Sequence, residues 1–111
     1  MYTRKEYLND CGDGGAAHRR YYSQFVDLQV RNFIEHCFGT EKLVKAFETD
    51  EHFNNIPLHK WDGLYPMLRA MVGDTNLKMV GDFWSLSAAV CIAKEAARQV
   101  VERELEKREN A

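Results

Sequence analysis

The sequence predicts an all-α protein, a single helical domain over residues 1–111 that folds as a compact bundle of five to seven helices with a long C-terminal helix. Apolar residues recur at three- and four-residue intervals along most of the chain, as on the core-facing side of a helix. No segment alternates polar and apolar residues for long enough to predict a strand. The composition, 45% hydrophobic and 29% charged, is that of a globular chain whose core needs no metal or disulfide.

The first two predicted helices lie on either side of a glycine-rich turn. Thr3 and Glu6 form a capping box, which predicts a short helix over residues 4–9. After the turn, a second helix is predicted over about residues 16–26. The residues expected on its core-facing side are Tyr22, Phe25 and Val26.

A third and a fourth helix are predicted on either side of Gly39. Asp27 is expected to cap the third helix, and Gly39 ends it. Thr40 is expected to cap the fourth helix, over about residues 41–48. The apolar stripe of the third helix consists of Val30, Phe33, Ile34, Cys37 and Phe38.

The segment Thr49–Asp62 interrupts this helical pattern with acids, two histidines, two asparagines and a proline. Pro57 predicts the first position of a short helix over about residues 58–64. The pair Tyr65-Pro66 is expected to start another short helix in the same way, and Gly73 to stop it. The apolar stripe of this helix consists of Met67, Leu68, Met71 and Val72. Polar and aromatic connections of this kind in small helical proteins are where binding residues tend to lie.

The longest predicted helix covers about residues 83–107, which contain no proline or glycine. Before it, Asp74 is expected to cap a turn over residues 76–80. The apolar stripe of the long helix consists of Leu86, Val90, Ala93, Ala97, Val100 or Val101, and Leu105. Its alanines allow close helix approach, which predicts either burial within the monomer or a homodimer formed through this helix.

Charge and cysteine usage limit the classes of function. The formal net charge of −2 and the pI near 6.1 do not resemble those of a non-specific DNA binder. The three cysteines, Cys11, Cys37 and Cys91, are odd in number and far apart, which favours reduced thiols in a cytoplasmic compartment. Cys37 and Cys91 are expected to be small core residues. Neither a signal peptide nor a membrane-spanning run is predicted.

The densest basic and aromatic cluster is His18–Tyr22. Arg19 and Arg20 can pair with phosphates, and Tyr21 or Tyr22 can stack on a base, which is the chemistry of a nucleotide site. The alternative is the normal helical pattern, in which the aromatic residues enter the core and the arginines are solvated.

The segment Thr49–Asp62 carries the other candidates. Its acids and histidines have no zinc-like spacing, and no cysteine lies nearby, so neither a metal nor another cofactor is predicted. Trp61 is expected either to anchor the core, with a partner for its indole N–H, or to contribute to a partner-binding surface with His52, Asn54 and His59. His36 and Cys37 are neighbours on one helix and cannot face each other as a catalytic pair.

Several runs of the chain resemble a group of small uncharacterised proteins encoded by phages and prophages. These runs are residues 2–8, 18–26, 50–58, 61–62, 90–94 and 97–98. The resemblance implies a phage accessory protein that acts in the cytosol of the host cell. By analogy with other small phage proteins, it implies inhibition of a host factor, including components of host defence such as CRISPR systems.

The sequence therefore predicts a non-enzymatic protein that binds and inhibits a host protein. The predicted binding residues are Arg19, Arg20, Tyr21, His52, Asn54, His59 and Trp61. Two alternatives are a nucleotide or cyclic-nucleotide signal-binding protein and, less favoured by charge, a dimeric DNA-binding regulator. The sequence does not determine whether the segments 18–22 and 49–62 form one surface.

Overall fold

The computed structural model describes residues 2–9, 15–73 and 85–110, and these residues form seven helices and no strand. The helices are α1 (Arg4–Asn9), α2 (Ala16–Ser23), α3 (Leu28–Phe38), α4 (Thr40–Thr49), α5 (Leu58–Asp62), α6 (Tyr65–Val72) and α7 (Leu86–Glu109). The all-α class and the long C-terminal helix are thus confirmed. The predicted turn over residues 76–80 with its cap Asp74, the residues 83–84 and the turn residues 11–14 lie outside the described part of the chain.

Helix α7 is the common packing partner, because it contacts α2, α3, α4, α5 and α6. Its alanines Ala88, Ala89, Ala93, Ala96 and Ala97 are all at most 2% exposed, so neighbouring helices approach it closely. Ile92 and Val101 fill the space between them and are fully buried. No helix of the described residues is both long and apolar enough to cross a membrane.

The predicted start of α1 and the predicted start of α3 are confirmed by side-chain hydrogen bonds. The Glu6 N–H donates to Thr3 Oγ1 at 3.2 Å, and the Thr3 N–H donates to Glu6 Oε2 at 3.3 Å. Asp27 Oδ1 accepts from the Val30 N–H at 2.9 Å. The predicted cap at Thr40 is wrong, because Thr40 is already the first helical residue and Gly39, which has no side chain, occupies the cap position.

Helix α2 is shorter than predicted and ends at Ser23. The Phe25 and Val26 N–H groups donate to the carbonyl oxygens of Tyr22 and Ser23, three residues back rather than four. This tighter turn redirects the chain towards α3, so residues 24–26 leave the helix.

Three residues of the predicted apolar stripes lie at the surface instead of in the core. Cys37 is exposed, because α3 turns Val30 and Ile34 fully inward and leaves Cys37 at the edge of that face. Leu86 is 46% exposed at the first turn of α7, where burial begins only at Ala88. Met67 is 51% exposed on α6, whose inward face is formed by Leu68 and Val72.

Trp61 anchors the core beneath the segment that joins α4 to α5. Its side chain is fully buried, and its ring centroid lies 4.9 Å from that of Phe38 and 6.0 Å from that of Phe53. The role of core anchor is therefore confirmed. The expected partner of the indole N–H is not found among the described residues, where Trp61 Nε1 is buried without a hydrogen bond.

Candidate ligand-binding cleft

A cleft of about 580 Å³ separates the start of α2 from α7, and the segment after α4 closes one side of it. We call it the α2–α7 cleft. Its lining residues are Gly15, Ala16, His18 and Arg19 from the α2 side, Glu51, His52 and Phe53 from the segment, and Val90, Cys91, Lys94, Glu95 and Arg98 from α7. The two segments singled out in the sequence, 18–22 and 49–62, therefore meet at one site.

Asp50 fixes the loop that carries His52 to the cleft. Its Oδ1 accepts from the His52 N–H at 2.9 Å, and its Oδ2 accepts from the Asn54 N–H at 3.2 Å. Between them, Phe53 adopts a φ of 57°, and its ring, only 1% exposed, packs into the core. The left-handed backbone costs about 1–2 kcal/mol for a residue with a Cβ, which the burial of the ring offsets. The hydrogen bonds to Asp50 and the buried Phe53 ring thus fix the backbone of the loop, and the side chains of His52 and Asn54 are exposed.

Helix α7 contacts the same loop through two cationic side chains. Lys94 Nζ lies 3.5 Å from Asn54 Oδ1, and a terminal nitrogen of Arg98 donates to the Glu51 carbonyl oxygen at 3.3 Å. These contacts place positive charge along the floor of the cleft and connect it to the rim.

Glu95 and Arg98 form an ion pair in the floor, with Glu95 Oε1 3.5 Å from Arg98 Nε. Glu95 is only 4% exposed, and burial raises its carboxyl pKa, although the nearby Arg98 and Arg19 act in the opposite direction. Arg98 Nε has no well-directed hydrogen bond among the described residues. A buried pair of this geometry contributes little net stability, because desolvation of both charges offsets their attraction.

His18 and Cys91 form a second pair, with His18 Nε2 3.1 Å from Cys91 Sγ. Burial lowers the pKa of His18, and the charges of Arg98 and Lys94 lower it further, so the imidazole is neutral at neutral pH. With its proton on Nδ1, this imidazole accepts a hydrogen bond from the thiol at Nε2. The two residues are 73 positions apart in the chain, and no local motif in the sequence indicates the pair.

Three of the seven predicted binding residues lie at the cleft. Arg19 and His52 line it, and Asn54 stands at its rim on Lys94. Arg20 lines an adjoining groove of about 360 Å³, and its guanidinium lies 5.5 Å from the centroid of the Tyr2 ring. His59 is exposed on α5 and is not a lining residue of the cleft.

The other two predicted binding residues, Tyr21 and Trp61, are buried and cannot reach a ligand at the surface. Tyr21 is 1% exposed and packs its ring 5.0 Å from that of Tyr7 and 5.7 Å from that of Phe25. The buried face of α2 runs through Ala17 and Tyr21, whereas Tyr22 is only partly buried. The predicted inward position of Tyr22 is therefore wrong, because Tyr21 occupies it.

The predicted homodimer depends on which residues of α7 lie at the surface. The alanines of α7 that suggested a homodimer are covered by helices of the same chain, so a dimer through α7 requires other residues of that helix. The charged end of α7 is tied to α4, because Arg108 pairs with Glu41 as well as with Glu104.

Within the described residues, no group of three His, Cys, Asp or Glu side chains is placed to hold a metal ion.

Comparison with known proteins finds no matching family model, no matching curated protein and no matching solved structure. Any functional assignment therefore depends on the chemistry of the cleft.

Proposed function

We propose that the protein is a non-enzymatic binding protein that captures a host protein by taking one of its acidic side chains into the α2–α7 cleft. One observation carries the proposal. Arg19 from α2 and Lys94 and Arg98 from α7 come together around a cavity large enough for a side chain, beside the exposed His52. Separate elements that present cations to one concave surface favour an anionic group.

The two acidic residues that line the cleft, Glu95 and Glu51, do not cancel its preference for an anionic group. The Glu95 carboxylate is paired with Arg98 and buried. The Glu51 side chain is 66% exposed, and its Oε1 lies 3.8 Å from His52 Nε2, at the rim rather than in the floor. Lys94 and Arg19 remain as the cations with the weakest protein contacts, since Arg19 reaches Glu102 only at 3.5 Å through exposed side chains.

The resemblance to small phage proteins supports inhibition as the outcome of such capture. A protein that occupies an acidic surface on a host factor, including a component of host defence, blocks that surface without any chemistry of its own. His52 and Asn54 provide polar groups around the cationic floor, an arrangement typical of the rim of a protein interface.

A second candidate, a nucleotide or cyclic-nucleotide signal, is favoured by the size of the cleft. Small-molecule sites commonly enclose about 300–1,000 Å³, and the cleft lies within this range. Arg19 and Lys94 would then contact phosphate oxygens. Stacking of a base on Tyr21 is not part of this candidate, because Tyr21 lies in the core. The dimeric DNA-binding regulator has no comparable support among the described residues.

Affinity capture from host lysate with charge-reversed variants tests the proposal. The double variant R19E/K94E reverses the cleft, and K42E/K45E reverses two exposed lysines on α4 as a matched control. We expect the wild type and K42E/K45E to retain the same host protein and R19E/K94E to lose it. Retention of the protein by R19E/K94E would place the binding surface elsewhere.

Mass spectrometry of small molecules in the same eluates distinguishes the second candidate. A nucleotide that co-elutes with the wild type and not with R19E/K94E, followed by a calorimetric heat with that nucleotide alone, would favour the signal-binding function. The absence of heat with a nucleotide panel at high micromolar concentrations would exclude it.

A further inference from the structure

The His18–Cys91 pair lies inside the α2–α7 cleft and has no part in the proposed capture of an acidic side chain. Cys91 is not in a disulfide, and it lines the cavity while being only partly exposed. Its sulfur lies 3.1 Å from the imidazole nitrogen that can accept its proton. Cysteine thiols become reactive where a proton acceptor and positive charge adjoin an accessible sulfur.

The charges that face this sulfur favour a thiolate and an anionic reagent. Lys94 stands one turn after Cys91 on α7, Arg98 follows one turn later, and Arg19 lines the cleft from α2. The acids on the same surface are Glu95, which is paired with Arg98, and Glu51, which is largely solvated. His52 completes the titratable groups of the lining.

We infer that Cys91 is a thiol-modification site, which forms a mixed disulfide with an anionic low-molecular-weight disulfide that enters the cleft, while His18 accepts the thiol proton. The Cys91 sulfur attacks one sulfur of the reagent, the sulfur–sulfur bond of the reagent breaks, and a new disulfide joins Cys91 to one half. The other half leaves as a thiolate and takes the proton from His18 Nε2. The reagent disulfide is the oxidant, so the exchange balances as one thiol consumed and one thiol released.

This modification would place an anionic group beside Lys94 and Arg19 and fill the cleft. It therefore provides a redox-dependent way to block the binding surface. The inference rests on the pair, the cavity and the cations that face the sulfur, and it holds whichever ligand the cleft takes.

Reaction rates of single-cysteine variants test the inference. The C11S/C37S variant retains only Cys91, and the C11S/C91S variant retains only Cys37, an exposed thiol on α3 with a pKa raised by desolvation. Each is treated at neutral pH with dithiobis(nitrobenzoate), an anionic disulfide, and with dithiodipyridine, an uncharged one. The released chromophore gives the rate.

We expect folded Cys91 to react with the anionic disulfide faster than Cys37 does, and faster than Cys91 itself reacts in the urea-unfolded chain. Adding H18Q is expected to lower the Cys91 rate about tenfold, because a thiol without its proton acceptor has a smaller thiolate fraction. Adding K94Q is expected to slow both reagents through a smaller thiolate fraction and to slow the anionic reagent more than the uncharged one.

A folded Cys91 that reacts no faster than Cys37, or no faster than in the unfolded chain, would overturn the inference. Circular dichroism shows whether H18Q folds. If H18Q does not fold, the selective effect of K94Q decides the question, and equal slowing of both reagents would count against a built anionic site.

Discussion

The two halves of the segment between α4 and the end of α5 have similar polar and aromatic compositions and opposite roles. Residues 50–54 present Glu51 and His52 to the α2–α7 cleft, with Phe53 buried beneath them, and residues 57–62 place Trp61 in the core. In the first half, hydrogen bonds from backbone N–H groups to Asp50 fix the loop, and His52 and Asn54 point outward. In the second half, Trp61 is buried between aromatic rings. Composition alone therefore does not distinguish a binding surface from a core closure, whereas burial of individual side chains does.

The largest effect is expected at the core half. Trp61→Ala should lower the free energy of unfolding by about 3–5 kcal/mol, because it removes a fully buried indole and leaves a cavity. Urea denaturation followed by circular dichroism measures the change. The control Leu58→Ala, one turn earlier on α5 and 61% exposed, should change stability by less than about 0.5 kcal/mol. Similar losses for the two variants would show that the indole does not anchor the core.

A smaller loss is expected at Asp50, where the cleft half of the segment follows α4. Asp50→Ala removes the acceptor of two backbone N–H groups and should cost about 1–2 kcal/mol. Asp50→Asn keeps one acceptor oxygen and should cost less. Hydrogen exchange should become faster at the His52 and Asn54 N–H groups in Asp50→Ala. Unchanged exchange there would mean that the loop is fixed by other contacts.

The pH dependence of the free energy of unfolding should report on two titratable groups of the cleft, Glu95 and His18. Burial raises the pKa of Glu95 above its ordinary value of 4.5, so the folded chain binds the extra proton first and acidification stabilises the fold through this group. Burial lowers the pKa of His18 below 6.5, so the unfolded chain is protonated first and acidification destabilises the fold through this group. As the pH falls, the His18 contribution begins near pH 6.5 and the Glu95 contribution is complete near pH 4.5, and the two contributions have opposite signs.

Single substitutions separate these contributions. As the pH falls through this range, Glu95→Gln should make the loss of unfolding free energy steeper, and His18→Gln should make it shallower. Urea midpoints at a series of pH values provide the measurement, with Glu106→Gln on an exposed part of α7 as the control. Parallel curves for all three variants and the wild type would contradict the burial of both groups.

The smallest effect on stability is expected at the cleft half. The double variant His52→Ala with Asn54→Ala should change the free energy of unfolding by less than about 0.5 kcal/mol, because both side chains are exposed. The same variant should weaken capture of the proposed partner in the lysate experiment. Loss of stability without loss of capture would reverse the roles assigned to the two halves.

Many of the helix boundaries are predictable because they depend on residues that are close together in the sequence. The capping box at Thr3 and Glu6, the cap at Asp27 and the break at Gly39 each involve residues within four positions of one another. The choice between Tyr21 and Tyr22 is different. Helix α2 has only eight residues, its two tyrosines are adjacent, and contact with Tyr7 and Phe25 selects the inward one.

The cleft is less predictable than the helices, because it is made of contacts between distant positions. Arg19 and His52 can each be identified from the sequence as candidate binding residues. That they line the same cleft depends on how α2 and the loop pack on α7. The pairing of His18 with Cys91 follows from the same packing and has no local signature. Cys37, the thiol with a neighbouring histidine in the sequence, lies on an exposed helix edge instead.

The position of α7 also determines when the chain can acquire a stable fold. Helices α2–α6 direct their apolar faces mainly at α7, which follows all of them in chain order. During synthesis, these helices emerge from the ribosome before the surface that they cover, so their apolar residues remain without their main partner until α7 has been translated. The helices can therefore pack fully only after α7 has left the ribosome. Truncation within α7 removes the packing surface that the earlier helices share.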